Sequence, residues 1–249
     1  MKQIAVYSGK GVSPDSYRCL CKSLKRGGLP FKRVTAEELK REGWESGVSL
    51  LALPGGQDVP YHEALKGEAN RRIRAFVEEG GGYFGICAGA YYGCGSVLFE
   101  EGGPLEVVGT RELGFFPGPA QGPAYGNGQF RYYSASGARL AYLSRGEEAP
   151  FALYYNGGCA FSEPEGHREV EVEARYLDLP GRPAAILSCK VGEGRAVLSG
   201  VHPEFSFADF PTGSRQLCRI KRCLLPFEER RQMLFATLIS SALANPKVW

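Results

Sequence analysis

In the stretch Gly80-Gly81-Gly82-Tyr83-Phe84-Gly85-Ile86-Cys87-Ala88-Gly89-Ala90-Tyr91-Tyr92-Gly93, a short apolar run leads into a single cysteine. The run, Tyr83 to Ile86, is too short for a buried helix, and small residues in helix-compatible order, Ala88 to Ala90, follow the cysteine. A strand that turns sharply into a helix is the pattern of a nucleophile elbow. Glycines two before and two after the nucleophile let backbone pass where a Cβ would clash. Cys87 is then expected at the N-terminus of the next helix, whose positive dipole end favours thiolate over thiol. The same window also fits a buried small hydrophobe, one of eight cysteines. Alone it does not separate the two readings.

Upstream of the elbow the chain alternates strand and helix. Ile4 to Tyr7 reads as a strand ending in Ser8-Gly9-Lys10-Gly11, a loop without the Walker spacing of a P-loop. Ser13 as N-cap and Pro14 at the first helical position start a helix that stops at Gly27-Gly28. Phe31 to Val34 is a second strand, and Thr35 caps a short charged helix from Ala36 to Glu42. Val48 to Leu53 is near-continuously apolar, as a strand buried on both faces should be. It ends in Pro54-Gly55-Gly56-Gln57-Asp58, which fits either a plain tight turn or backbone amides facing an open space, as an oxyanion hole requires. A single helix from about Tyr61 to Glu79 precedes the elbow strand. This alternation predicts an α/β fold: a doubly wound, mostly parallel sheet with helices on both faces.

Downstream the alternation breaks. Glu100 to Gly128 is rich in Gly and Pro, with Phe115, Phe116 and Tyr125 among them, and is expected to be an irregular binding loop or lid. Phe151 to Tyr155 is a strand followed by Asn156-Gly157-Gly158, and Pro183–Lys190 with Gly194–Gly200 forms a hairpin. These strands are expected to extend the same sheet in antiparallel fashion. The hairpin delivers Val201-His202-Pro203-Glu204-Phe205. In an extended segment His202 and Glu204 share a face, which pairs an imidazole base with a carboxylate that orients it. His62 and His167 lack such context and are expected at the surface. A last helix, Phe227 to Leu243, offers Met233, Leu234, Leu238, Ile239 and Leu243 as its apolar face. The basic run Arg215, Arg219, Lys221, Arg222 before it is expected to be solvated.

The chain has 249 residues, 43% of them hydrophobic and 23% charged, with a formal charge of +3. This is an ordinary globular composition that makes no case for nucleic acid. No linker divides the sequence, so residues 1–249 are expected to form a single domain. No signal-peptide pattern and no apolar span near membrane length is present, so a cytoplasmic protein without membrane association is expected. The cysteine spacings fit no usual zinc pattern, and free thiols without a metal or other cofactor are expected.

Taken together, Gly-Gly after the third strand, Gly-x-Cys-x-Gly after the fourth and Ser-Gly-Val-His-Pro-Glu near the end resemble the class I glutamine amidotransferase-like superfamily. More narrowly, the chain resembles the biotin-protein ligase N-terminal domain family. Leu53 to Tyr61, Gly85 to Tyr92 and Tyr154 to Gly158 carry that likeness. The resemblance implies a flavodoxin-like sheet and a triad of Cys87 as nucleophile, His202 as base and Glu204 as its orienter. It implies further an oxyanion hole at the amides of Gly56 and Ala88, and a small-molecule substrate contacted by Gly55, Tyr91 and Asn156. Glutamine amidotransferases usually carry Gln four residues after the nucleophile. Tyr91 stands there in this chain and argues against glutamine as substrate. Neither a synthetase domain to receive ammonia nor a biotin-ligase catalytic domain is recognised in these residues, so biotin ligation is not expected of them. Two functions stay open: a thiol-dependent amide or acyl hydrolase or transferase, and a non-catalytic binding or regulatory module. Either admits a biotin-ligase-type or other enzyme partner.

Overall fold

A computed structural model describes residues 2–243. The first half alternates as its sequence predicts. Strand β1 (Gln3–Tyr7) is followed by helix α1 (Pro14–Arg26), β2 (Phe31–Val34), α2 (Ala36–Leu39) and β3 (Val48–Leu53). Then come α3 (Asp58–Leu65), α4 (Glu68–Glu78), β4 (Gly82–Ile86) and the five-residue α5 (Ala88–Tyr92). Ser13 caps α1 by accepting the Ser16 amide, with Pro14 just inside the helix, and Thr35 with Glu38 forms a reciprocal capping box on α2. The single helix expected over Tyr61 to Glu79 is two. Lys66 leaves helical geometry at ψ 146°, and Gly67 at φ +77° donates its amide to Glu112, so the chain turns before α4 starts.

The second half adds β5 (Cys94–Phe99), β6 (Val107–Thr110), β7 (Phe116–Gly122), β8 (Arg139–Ser144) and β9 (Phe151–Tyr155). It continues with β10 (Ala160–Phe161), β11 (Val170–Tyr176), β12 (Ala184–Val191), β13 (Gly194–Ser199), α6 (Arg215–Leu224) and α7 (Glu228–Ala242). The sheet runs β2-β1-β3-β4-β13-β12-β10-β7-β5-β6, and β11 pairs with β12 while carrying β8 and β9 at its side. The five strands from β2 to β13 are mutually parallel, and the expected antiparallel extension begins at the β12–β13 hairpin. The segment expected to be an irregular lid, Glu100 to Gly128, holds β6 and most importantly β7, which lies parallel to β5 inside the sheet.

Period-two alternation sorts each parallel strand between two cores. Ala5, Tyr7, Leu51, Leu53, Tyr83 and Leu198 face α3, α4 and α5, where Tyr61, Leu65, Ile73 and Val77 are buried. Ile4, Val6, Leu50, Ala52, Phe84 and Val197 face α1 and α7, where Leu20, Leu24, Leu234, Leu238 and Ile239 are buried. Helices therefore cover both faces. On α7 the apolar face excludes Met233, which is 65% exposed, because Phe235 and Ala242 complete the stripe on the other side of Leu234. All eight cysteines are free thiols. His62 and His167 are half-buried, the latter edge-on to Phe116, so neither stands free at the surface. Among the described residues no helix is long and apolar enough to cross a membrane.

Candidate active site

The carboxyl ends of β1, β3, β4 and β13 converge on one cleft, the place where open α/β sheets hold ligands. Cys87 sits at the turn from β4 into α5 with φ +50° and ψ −104°, a region that side-chain-bearing residues rarely occupy. Its amide is spent on the Ser199 carbonyl of the neighbouring β13 at 2.8 Å, which fixes the turn against that strand. The Cys87 side chain is nearly buried, with Sγ 3.8 Å from the Asn156 carbonyl.

His202 follows β13 directly. Its amide donates to the Tyr154 carbonyl at 2.9 Å, and its ring packs against those of Tyr154 and Phe205, which also touch each other. The chain does not stay extended beyond it: Pro203 and Glu204 form a turn, and Arg231 of α7 donates to the Pro203 carbonyl. The shared-face argument for His202 and Glu204 is therefore replaced by a turn, yet the two side chains still meet, with Nδ1 2.8 Å from Oε1 of Glu204. Nδ1 donates to that carboxylate, and the ring lines the cleft together with Cys87. Burial acts to keep the imidazole neutral. Glu204 and the Cys87 sulfur outweigh it and raise the His202 pKa from 6.5 to about 10.

Glu204 is fully buried, and its Oε1 accepts a second donor, Ser16 Oγ, at 2.7 Å. Ser16 Oγ in turn accepts the amide of Gly55 at 2.8 Å. A Cβ on Gly55 would lie 2.7 Å from His202 Cε1, 3.2 Å from Ser16 Oγ and 3.4 Å from Cys87 Cβ. Gly55 is thus the floor on which the three side chains meet. The amides of Gly56 and Ala88 donate to no protein acceptor among the described residues. Gly56 borders the cleft together with Cys87.

Tyr91 is placed elsewhere. It is 4% exposed, does not line the cleft, and its hydroxyl donates to the Gly157 carbonyl at 3.2 Å. It braces the Asn156-Gly157-Gly158 turn, away from the cleft in which a substrate contact is expected of it. Replacing Tyr91 by Phe should lower stability by about 1 kcal/mol, the net worth of a hydrogen bond whose acceptor is left buried, as read by urea unfolding. Asn156 does line the cleft, with Nδ2 held by the Ser134 carbonyl at 3.1 Å.

The cleft has a volume of about 700 Å³. Its outer wall is the segment from Phe130 to Ala135, which the sequence reading passed over. Phe130 packs on Gly157, and the otherwise exposed Tyr133 meets Gln57 through its hydroxyl at 2.9 Å. Tyr-Tyr pairs flanked by Phe and Arg in a polar stretch were the available signal. Ser16 left none, since its partners stand 39 and 188 residues away.

The family described as biotin-protein ligase, N terminal, matches residues 2–245 of the chain. An uncharacterized protein of Chlamydia muridarum is 45% identical over 98% of both chains. A biotin–protein ligase of Schizosaccharomyces pombe is 38% identical over 84% of this chain, which spans 34% of that enzyme. Among solved structures, a glutamine amidotransferase aligns over 88% of this chain and 98% of its own, with a TM-score of 0.59 at 22% identity. The PurLQS structure from Thermotoga maritima aligns over 91% and 99%, with a TM-score of 0.55 at 17% identity. At those identities the likeness is one of fold, and it is the glutamine amidotransferase-like, flavodoxin-type fold that the strand order describes. With residues 2–245 of its 249 matched, the chain belongs to the biotin-protein ligase N-terminal family.

Proposed function

We propose that the chain is a thiol-dependent amide or acyl hydrolase or transferase that acts on a small carboxamide-like substrate through Cys87, His202 and Glu204. One observation carries the reading: a buried carboxylate, an imidazole and a thiol stand in series beside two backbone amides with no protein acceptor. His202 holds the proton of Cys87 as an imidazolium, and the thiolate of that ion pair attacks the carbonyl carbon. The oxyanion that forms is stabilised by the Gly56 and Ala88 amides. His202 returns the proton to the leaving nitrogen as the carbon–nitrogen bond breaks, which leaves a thioester on Cys87. Water or an amine then attacks the thioester and gives up a proton to His202, and the carbon–sulfur bond breaks to release the Cys87 thiolate.

The cleft walls suit a substrate with an apolar or aromatic body. Phe130, Tyr132, Tyr133, Tyr154 and Phe205 line it, while Lys10, Arg131, Asp15 and Glu63 supply charge at its rim. With Tyr91 turned into the core, no side chain four residues past the nucleophile reaches the cleft, and glutamine is not the proposed substrate. A biotin-ligase-type enzyme as partner is part of the proposal, motivated by the relative in which a similar segment forms about a third of a ligase.

Intact-mass screening against electrophilic amide and acyl probes tests the reading. The wild type is expected to gain one acyl mass that Cys87→Ser does not. Equal labelling of both proteins would place the chemistry elsewhere. An unlabelled wild type that still retains amide ligands would support the binding-module reading instead.

A further inference from the structure

We propose that Ser16 is a positioning residue that ties the carboxylate of the triad to the oxyanion loop, so that both are set by one hydroxyl. The proposal rests on the thiol mechanism above. A serine inside a helix ordinarily turns its hydroxyl to a carbonyl one turn back. Ser16, in the first turn of α1 and 1% exposed, does not. Its one proton goes to Glu204 Oε1 at 2.7 Å, and its lone pair takes the Gly55 amide at 2.8 Å. Both its donor and an acceptor site are thus used on parts of the site that come from different strands.

The consequences are directional. Glu204 Oε1 receives two donors, Ser16 Oγ and His202 Nδ1, while Oε2 has no partner. The carboxylate is held by the oxygen that orients the imidazole. On the other side, anchoring the Gly55 amide fixes the plane of the loop that presents the next amide, that of Gly56. Ser13, three residues before Ser16, adds a second tie by donating its own amide to the Gly55 carbonyl at 2.9 Å. The start of α1 therefore clamps the loop through both polar groups of Gly55.

Two probes separate these roles. Iodoacetamide alkylates a thiolate without calling on an oxyanion hole. p-Nitrophenyl acetate develops an oxyanion that such a hole accelerates: the thiolate attacks the carbonyl, p-nitrophenolate leaves and a thioester remains. In Ser16→Ala the pH profile of Cys87 alkylation should move up by about one unit, the worth of one hydrogen bond to a charged group. Acylation should fall by about tenfold or more, beyond the loss in alkylation at the same pH. Ser16→Thr, which keeps the hydroxyl, should recover most of both. In a Glu204→Gln background, Ser16→Ala should no longer move the alkylation profile, because its route to the imidazole is already cut. Rates and profile within twofold of wild type in Ser16→Ala would overturn the proposal. So would fully additive effects of the two substitutions, which mark a packing role. A wild-type Cys87 no more reactive than the exposed Cys223 would sink the thiol mechanism itself and the role of Ser16 with it. A reactive Cys87 that is indifferent to Ser16 sinks only the latter.

Discussion

Replacing His202 by Ala is expected to slow acylation of Cys87 by about 10²- to 10⁴-fold, the usual worth of a positioned acid–base group. The loss should be larger for an amide probe than for an activated ester, since a poor leaving nitrogen needs the proton that His202 returns. Stability should change with a defined sign. The folded-state pKa of His202 is raised from 6.5 to about 10 against burial, by Glu204 and Cys87. Its contribution is therefore complete below about pH 6.5 and is lost as pH rises through about 10. Urea unfolding of wild type and His202→Ala should differ most at pH 6 and converge toward pH 10. Equal rates with the amide probe would remove His202 from the mechanism, and a stability gap that widens with pH would contradict the ionic pairing.

The second large effect is expected at Gly158. A Cβ there would lie 1.7 Å from the Gly200 carbonyl oxygen and 2.8 Å from its carbon, both backbone atoms that no rotamer change can relieve. Gly200 stands two residues before His202 and donates its amide to the Ala185 carbonyl, so the strain falls on the chain that delivers the imidazole. Gly158→Ala should cost about 2–3 kcal/mol by overpacking. It should also lower acylation by up to about 10²-fold through misplacement of the ring by about 1 Å. Gly166→Ala, where a Cβ meets open space, serves as the neutral control in the same unfolding and acylation assays. Wild-type stability in Gly158→Ala would show that the two backbones separate readily.

How far the sequence carried is best judged from particular residues. The elbow around Cys87 and the Ser-Gly-Val-His-Pro-Glu run were legible because each motif is local: strand, turn and helix signals sit within a dozen residues. The parallel half of the sheet was legible for the same reason, through apolar runs buried on both faces. Strand β7 was not. Its inward residues are Phe116, Gly118 and Ala120, and its outward ones include Pro117, so alternation is present but two small residues and the prolines mute it. The break at Lys66-Gly67 escaped because one glycine in a helical pattern does not announce whether it is tolerated or obeyed. Met233 was assigned inward because a methionine beside a leucine satisfies a coarse helical stripe. The inward direction of Tyr91 is not legible, because resemblance gives a position and not a direction. Ser16 was invisible, as a serine in a helix's first turn already has a reason to be there.

The contact between the backbones of Tyr154 and His202 has a consequence for how the molecule comes into being. These two residues form an isolated antiparallel bridge, which makes the β8–β9 arm a support for the imidazole rather than an ornament on the sheet. Ser16 meanwhile waits for Glu204, 188 residues later. Local units such as the β12–β13 hairpin close over short loops, whereas these contacts join distant segments and pay the larger closure entropy. During synthesis, the thiol of Cys87 exists for well over a hundred residues of chain before its imidazole and carboxylate are made. Assembly of the proposed triad is thus a late event, and a nascent or truncated chain carries Cys87 without His202.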